Sequence, residues 1–305
     1  MTKKAFEQNL LSHLEEQRAL CPAMQLQDMV KCIFQAMLGV GHLLSSRERV
    51  REFIFREMES VQPDPLEPLF ETLSFSWSRL NLRRAKAERI QPDTIAGLML
   101  TSQPAMQFTR QEVFAVCERM MQRSFGHNAD KAELASILDE SWLPSHSDTY
   151  SEKYCPAYRV ISTEWLPCMD AIRRISWEKG CTDRLLITLD GPCASGKTTL
   201  AHKLSRVFQA PVIHTDDFVI PHAQKTQERL AIPGGNCDAE RLVEEVLKPW
   251  KQGTSVKYRK YDCFSDCLQP EETLQNGEML IMEGCYCNLP QIRRYAAVFL
   301  TLPGN

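Results

Sequence analysis

The chain has 305 residues, 43% of them hydrophobic and 25% charged, with a formal net charge of −3. That length points to about two domains with ordinary globular cores. A slightly acidic balance gives no global basic field for nucleic acid or for an anionic membrane.

The longest apolar stretch, around Cys32 to Leu44, is too short and too interrupted to span a bilayer. The start of the chain is basic but has no apolar core or cleavage site, so a cytoplasmic location is expected. Twelve cysteines raise disulfides and zinc. Their spacing suggests no paired framework. Cys263-x-x-x-Cys267 and Cys285-x-Cys287 come nearest to a metal pattern, yet neither has C-x-x-C spacing. Reduced thiols are expected.

Residues 1–145 read as an all-α domain of unassigned role. Phe6, Leu10, Leu11 and Leu14 form one apolar stripe, and Met24, Met29, Val30, Ile33, Phe34 and Met37 form another. A capped helix follows Ser45 and Ser46 to about Ser60, and Pro63, Pro65 and Pro68 break the pattern. Further helices are predicted near Pro92–Ser102, Thr109–Ser124 and Asn128–Glu140.

Several polar residues here have two readings. His42 after a glycine turn, and Arg79, Arg83 and Arg84 around Asn81, read first as a dipole partner and a solvated face. His146, Tyr150, Tyr154, Tyr158 and Arg159 decorate an irregular loop, for which ligand binding is the alternative to a bland surface. Residues 146–180 read as a connector followed by an amphipathic helix from Trp165 to about Gly180.

The most informative stretch is Gly191-Pro-Cys-Ala-Ser-Gly-Lys-Thr198, which fits G-x-x-x-x-G-K-[ST]. Leu185-Leu-Ile-Thr-Leu189 before it is a buried-strand run. Leu200, Leu204 and Val207 after it keep helical spacing. Strand, glycine turn and helix together form a phosphate cradle. Gly191, Ala194, Ser195, Gly196, Lys197, Thr198 and Thr199 are the expected nucleotide contacts, with Lys197 on the β- and γ-phosphates and the Thr198 hydroxyl on Mg²⁺.

Ala210-Pro-Val-Ile-His214 is a second short strand, ending in Thr215-Asp-Asp-Phe218. Acidic residues at the carboxyl end of such a strand face the phosphates and Mg²⁺, and one can accept a proton from a substrate hydroxyl. Pro221 to Asn236 reads as a polar loop. Asp238 caps a helix to Trp250, Ser255–Asp262 alternates like a strand, and Met279–Met282 and Ala296–Thr301 are further strands. Alternating strands and helices predict an α/β P-loop NTPase domain over 181–305, a parallel sheet with flanking helices.

In order along the chain stand GPCASGKTTLA, HTDDF, the Asp238 helix up to Gly253, YRKYD, and an apolar strand closing in Glu283-Gly284. This string resembles the uridine kinase/phosphoribulokinase family of P-loop kinases, over about Arg184 to Leu302. The resemblance implies transfer of the γ-phosphoryl group of ATP or GTP to a hydroxyl of a nucleoside or related sugar-bearing metabolite. It makes Asp216 the base on that hydroxyl, with Asp217 the adjacent alternative, and Lys197 and Glu283 catalytic. It implies Thr198, Asp216 and Glu283 around Mg²⁺, and Arg259, Tyr261 and Asp262 at the acceptor. Partners are then small molecules, with no nucleic acid and no membrane.

Family kinases continue past the last strand into an arginine-bearing lid that this sequence does not contain; Arg293 and Arg294 precede that strand and substitute poorly by position. A nucleotide-binding regulatory module is therefore the alternative to a kinase, and a motor or GTPase-like switch the weaker third.

Overall fold

The computed structural model describes residues 2–39, 46–104, 106–125, 131–140 and 145–302, so the reading of His42 lies outside the described residues. The chain divides into two units, Met1–Pro167 and Cys168–Asn305.

The first unit begins with three capped helices, α1 (Lys3–Leu20), α2 (Leu26–Leu38) and α3 (Arg47–Ser60). Thr2 Oγ1 accepts from Ala5 N at 3.3 Å and Ser46 Oγ from Arg49 N at 3.4 Å, each satisfying a donor that the first helical turn leaves open. The expected stripes are buried: Phe6, Leu10 and Leu14 on α1, and Met29, Ile33 and Met37 on α2.

The stretch after the prolines is a hairpin, β1 (Phe70–Thr72) against β2 (Trp77–Asn81). On the far side of β2 lies β3 (Tyr158–Ser162), antiparallel, in the order β1-β2-β3. The all-α expectation is corrected at this point: the unit is mainly helical but contains a three-stranded sheet. Two of its strands are three and five residues long, and the third joins from 77 positions downstream, judged from Asn81 to Tyr158. Neither feature leaves a local pattern, because strand pairing across a long loop shows only in tertiary structure. Gly39 ends α2 with φ +63° under the buried Trp77 ring, where a Cβ would sit 2.2 Å from a ring carbon.

The unit continues with α4 (Leu82–Ala87), α5 (Pro92–Thr101), α6 (Arg110–Phe125), α7 (Lys131–Glu140) and α8 (Asp148–Tyr154). The stretch read as an irregular connector thus holds α8 and β3.

The second unit opens with α9 (Met169–Lys179) and is built on a four-stranded parallel sheet. Its strands are β4 (Leu185–Asp190), β5 (Val212–His214), β10 (Met279–Glu283) and β11 (Ala296–Thr301), in the order β11-β4-β10-β5. Parallel strands are covered on both faces, and Leu185 to Leu189 are accordingly all buried. Between β4 and β5 runs α10 (Lys197–Phe208).

Four short strands lie outside this sheet. β6 (Val256–Tyr258) pairs with β9 (Glu272–Leu274), and β7 (Tyr261–Asp262) pairs with β8 (Cys267–Leu268). The alternation read over Ser255–Asp262 is therefore two strands, broken at Arg259 and Lys260. Asp238 caps the expected helix, accepting from Arg241 N at 3.1 Å. A π-helical turn over Val243–Leu247 continues into Lys248–Gln252, and Leu242, Val246, Leu247 and Trp250 join Phe218 and Tyr258 in the core. Among the described residues no helix is long and apolar enough to cross a membrane.

Candidate active site

The carboxyl ends of β4, β10 and β5 lie side by side. Glu283, the last residue of β10, is in register with Leu189 on one side and with His214 on the other. The loops leaving these three strands therefore meet at one sheet edge, the place where open parallel sheets collect ligands.

Asp190 ends β4 and fastens these loops. Its Oδ1 accepts from Gly191 N at 2.7 Å and Tyr286 N at 3.2 Å, and its Oδ2 accepts from Asn288 N at 3.2 Å. A carboxylate accepts only, so one side chain can hold the start of the glycine loop and the segment after Glu283 together. Sequence reasoning passed over Asp190. Its one signal is a charged residue closing an otherwise apolar strand.

The loop then turns sharply. Gly191 has φ +149°, and a Cβ there would stand 2.6 Å from the Leu302 carbonyl oxygen. Ala194 and Gly196 adopt positive φ of 61° and 89°, the left-handed conformation that curves successive N–H groups into an anion-binding nest. The Ser195 hydroxyl is buried without a hydrogen-bond partner. Helix α10 starts at Lys197, adding the positive end of its dipole. A tight cradle, an orphaned hydroxyl and a helix N-terminus fit a phosphate group.

Four side chains, Lys197, Thr198, His214 and Glu283, stand beside this cradle. Lys197 is buried, its Nζ donating to the Pro192 carbonyl at 2.7 Å. Glu283 is only 5% exposed; its Oε1 accepts from Thr198 Oγ1 at 2.9 Å and lies 2.5 Å from His214 Nδ1. A buried carboxylate needs such partners to offset lost hydration. The exposed Thr198 hydroxyl and the Glu283 carboxylate are hard oxygen donors of the kind Mg²⁺ takes, one or two from protein with phosphates supplying others. Among the described residues no group of three or more His, Cys, Asp or Glu converges as a metal site, which also leaves no zinc cluster at Cys263, Cys267, Cys285 and Cys287. The cysteines are free thiols.

Asp216 and Asp217 lie in a 3₁₀ turn, Thr215–Asp217, directly after β5. Thr215 Oγ1 donates to the Cys285 carbonyl at 3.1 Å, and Gly284, at φ +141°, lets the turn approach so closely that a Cβ would fall 1.9 Å from that hydroxyl. Asp216 is exposed and Asp217 half-buried. Burial pushes the Asp217 carboxyl above its usual range, opposed by the charges of Lys260 and His214.

The turn is braced by Arg241, a residue that sequence reasoning missed. Its Nη2 donates to Asp217 O at 3.3 Å, its Nε pairs with Asp238 at 3.1 Å, and its Nη1 donates to Arg259 O. The guanidinium also stacks 4.5 Å from the Phe218 ring. The available signal was the i, i+3 pair Asp238–Arg241 at a helix start.

The acceptor candidates make local contacts. Arg259 pairs through its side chain with Glu245 at 2.9 Å. Tyr261 donates to Asp266, which raises the phenol to about 12. Asp262 accepts from Phe264 N at 2.9 Å and Ser265 Oγ at 2.7 Å, closing the β7–β8 hairpin. His222 N donates to Asp266 at 3.1 Å, tying that hairpin to the loop beyond Asp217. The structure thus gathers the Gly191–Thr198 loop, Glu283 and His214, with the Asp216 turn packed on Gly284. Arg259 lies between β6 and β7, with Tyr261 and Asp262 in β7, and Arg241 joins this segment to the Asp216 turn by donating to both Arg259 O and Asp217 O. Arg293 and Arg294 stack on Phe299 and Tyr295, at 5.3 and 5.1 Å.

Residues 186–297 match the family model described as the Phosphoribulokinase / Uridine kinase family. Among solved structures the chain is similar to one titled "Structure of a Possible Uridine Kinase from Bacillus stearothermophilus". The identity is 23% and the TM-score 0.36, over 44% of this chain and 81% of that chain. No protein of curated function matches the chain.

Proposed function

We propose that the second unit is a P-loop kinase that moves the γ-phosphoryl group of ATP or GTP onto a hydroxyl of a nucleoside or related sugar-bearing metabolite. The observation that carries this reading is the Thr198–Glu283 contact at the mouth of the glycine loop, with the Asp216 turn seated on the adjoining Gly284. Bound Mg²⁺ would neutralise charge on the transferring phosphate.

The protein's own residues divide the remaining work. The backbone of Gly191 to Gly196 and the α10 N-terminus bind phosphate oxygens, and Ser195 Oγ supplies a further hydrogen bond there. Lys197 contributes a buried ammonium, worth more at low dielectric than in water. Thr198 and Glu283 hold the metal, and His214 keeps the Glu283 carboxylate oriented. Asp216, exposed at the strand end, accepts the hydroxyl proton. Asp217 is the second candidate, because burial raises its carboxyl above the usual range and so makes it the stronger proton acceptor.

The test is turnover with Mg-ATP against a panel of nucleosides and free sugars, with product masses recorded. A phosphorylated acceptor that disappears in Lys197→Ala supports the reading. Nucleotide binding with no product from any acceptor refutes it in favour of a regulatory nucleotide sensor.

A further inference from the structure

Unit 1 contains a cleft of about 370 Å³ whose floor is the β1-β2-β3 sheet and whose walls include α1 and α8. On this sheet face, alternate residues Arg79 and Asn81 point the same way. Their cross-strand partners are Glu71 and Tyr158. A sheet face covered by helices is normally apolar. Here it is polar and built with care. Arg79, 3% exposed, donates to Glu71 at 3.2 and 3.3 Å and to Gln35 at 3.1 Å, and its guanidinium stacks 4.4 Å from the Tyr158 ring. Its Nε is buried with no hydrogen-bond partner.

The polar wall extends inward as a chain. The Tyr158 hydroxyl donates to Gln35 at 3.3 Å and lies 2.6 Å from His146 Nε2, and His146 Nδ1 lies 2.9 Å from the buried Asp28. Holding a guanidinium, an imidazole and a carboxylate inside a small, mainly helical unit carries a hydration cost that packing alone does not require. The tyrosine-bearing stretch singled out from sequence, Tyr150, Tyr154 and Tyr158, lines the opening.

We infer that this cleft binds the hydroxyl-bearing ring of a sugar. Three features select that chemistry. Glu67 and Glu71 balance Arg79 and Arg83 among the lining residues, so neither an anion nor a cation is favoured by charge. The charged groups are already engaged: Arg79 with Glu71, Glu67 with Asn81 Nδ2 at 2.6 Å, and Arg83 with the Cys155 carbonyl at 2.9 Å. What they still offer is carboxylate lone pairs and guanidinium N–H groups side by side, and a hydroxyl both donates and accepts. The half-buried Tyr154 ring provides aromatic surface for the C–H face of the sugar ring. A free monosaccharide and the ribose of a nucleoside share this chemistry. The site lies within residues 1–167 and does not depend on the kinase reading.

The test is ligand-observed NMR and calorimetry on the full chain with D-ribose, D-glucose and uridine, beside inorganic phosphate and choline. Native protein, Lys197→Ala, Glu67→Gln and Tyr154→Ala are compared, with thermal melting as the folding control. The expected result is sugar or nucleoside binding that Lys197→Ala keeps and that Glu67→Gln weakens about tenfold, the loss of one good hydrogen bond to a charged group. Tyr154→Ala weakens it further. Binding of D-ribose or D-glucose identifies a free sugar as the source. Binding of uridine alone, reduced by Glu67→Gln, identifies a nucleoside. No binding of any of the three, binding of phosphate or choline only, or binding that both cleft variants leave unchanged overturns the proposal.

Discussion

Gly284→Ala probes the junction on which the site depends. At φ +141° a side chain is strained, about 1–3 kcal/mol for a residue held in such a region. The new Cβ would also lie 1.9 Å from Thr215 Oγ1, so the hydroxyl must swing away and give up its bond to the Cys285 carbonyl. That loss adds about 1 kcal/mol. Together they amount to about 2–4 kcal/mol, or a fall in melting temperature of roughly 10 °C for a unit of this size.

Urea unfolding of the full chain followed by circular dichroism measures the cost. Repeating the substitution in a Thr215→Ala background separates its two parts, because the missing hydroxyl removes the 1.9 Å clash and leaves the backbone strain and a tight 3.1 Å contact with the residue 215 Cβ. The cost should then shrink by about 1 kcal/mol or more. An equal cost in both backgrounds, or a cost below about 0.5 kcal/mol in the native one, refutes the close packing of the Asp216 turn on Gly284.

Other consequences are equally open to measurement. Burial pushes the Asp28 carboxyl up, but hydrogen bonds from His146, Ser147 and Gln25 outweigh it and hold the group below its usual range. Its stabilisation is present above the unfolded pKa near 4 and is lost as pH falls through the lower folded value. Asp28→Ala should cost about 3–5 kcal/mol at pH 7 by leaving donors unpaired, a loss that narrows in acid; an unchanged urea midpoint would contradict this. For Asp217 the sign is opposite. With its folded pKa raised, the ionised group destabilises as pH climbs through that value, so Asp217→Asn should raise the urea midpoint at pH 7, and that gain should vanish near pH 3. Thr198→Ala removes a partner of the buried Glu283, so it should lower Mg²⁺-dependent nucleotide affinity about tenfold, read by calorimetry with and without the metal, and lower the melting temperature by a few degrees.

The parallel sheet and its glycine loop were legible because their signals are local. An apolar run before Gly191, helical spacing after Thr198 and an acidic turn after His214 each occupy a few adjacent residues. The first unit's sheet was illegible for the opposite reason. Phe70–Thr72 is too short to show alternation, and Tyr158–Ser162 finds its place only by pairing with Trp77–Asn81. Arg79 could be read as a solvated arginine until that pairing buried it. Asp190 and Arg241 escaped because their partners are mostly backbone groups of other loops, which no spacing announces. Arg259, Tyr261 and Asp262 entered by resemblance alone, and their structural partners are Glu245, Asp266 and Ser265.

The most direct test of the central claim compares Asp216→Asn with the native chain for two quantities, nucleotide affinity in the presence of Mg²⁺ and phosphorylated nucleoside formed per unit time. The kinase account expects affinity within about threefold of native and turnover reduced by about 10²–10⁴, the usual contribution of a positioned general base. Turnover retained in Asp216→Asn, or lost in step with nucleotide affinity, would contradict it.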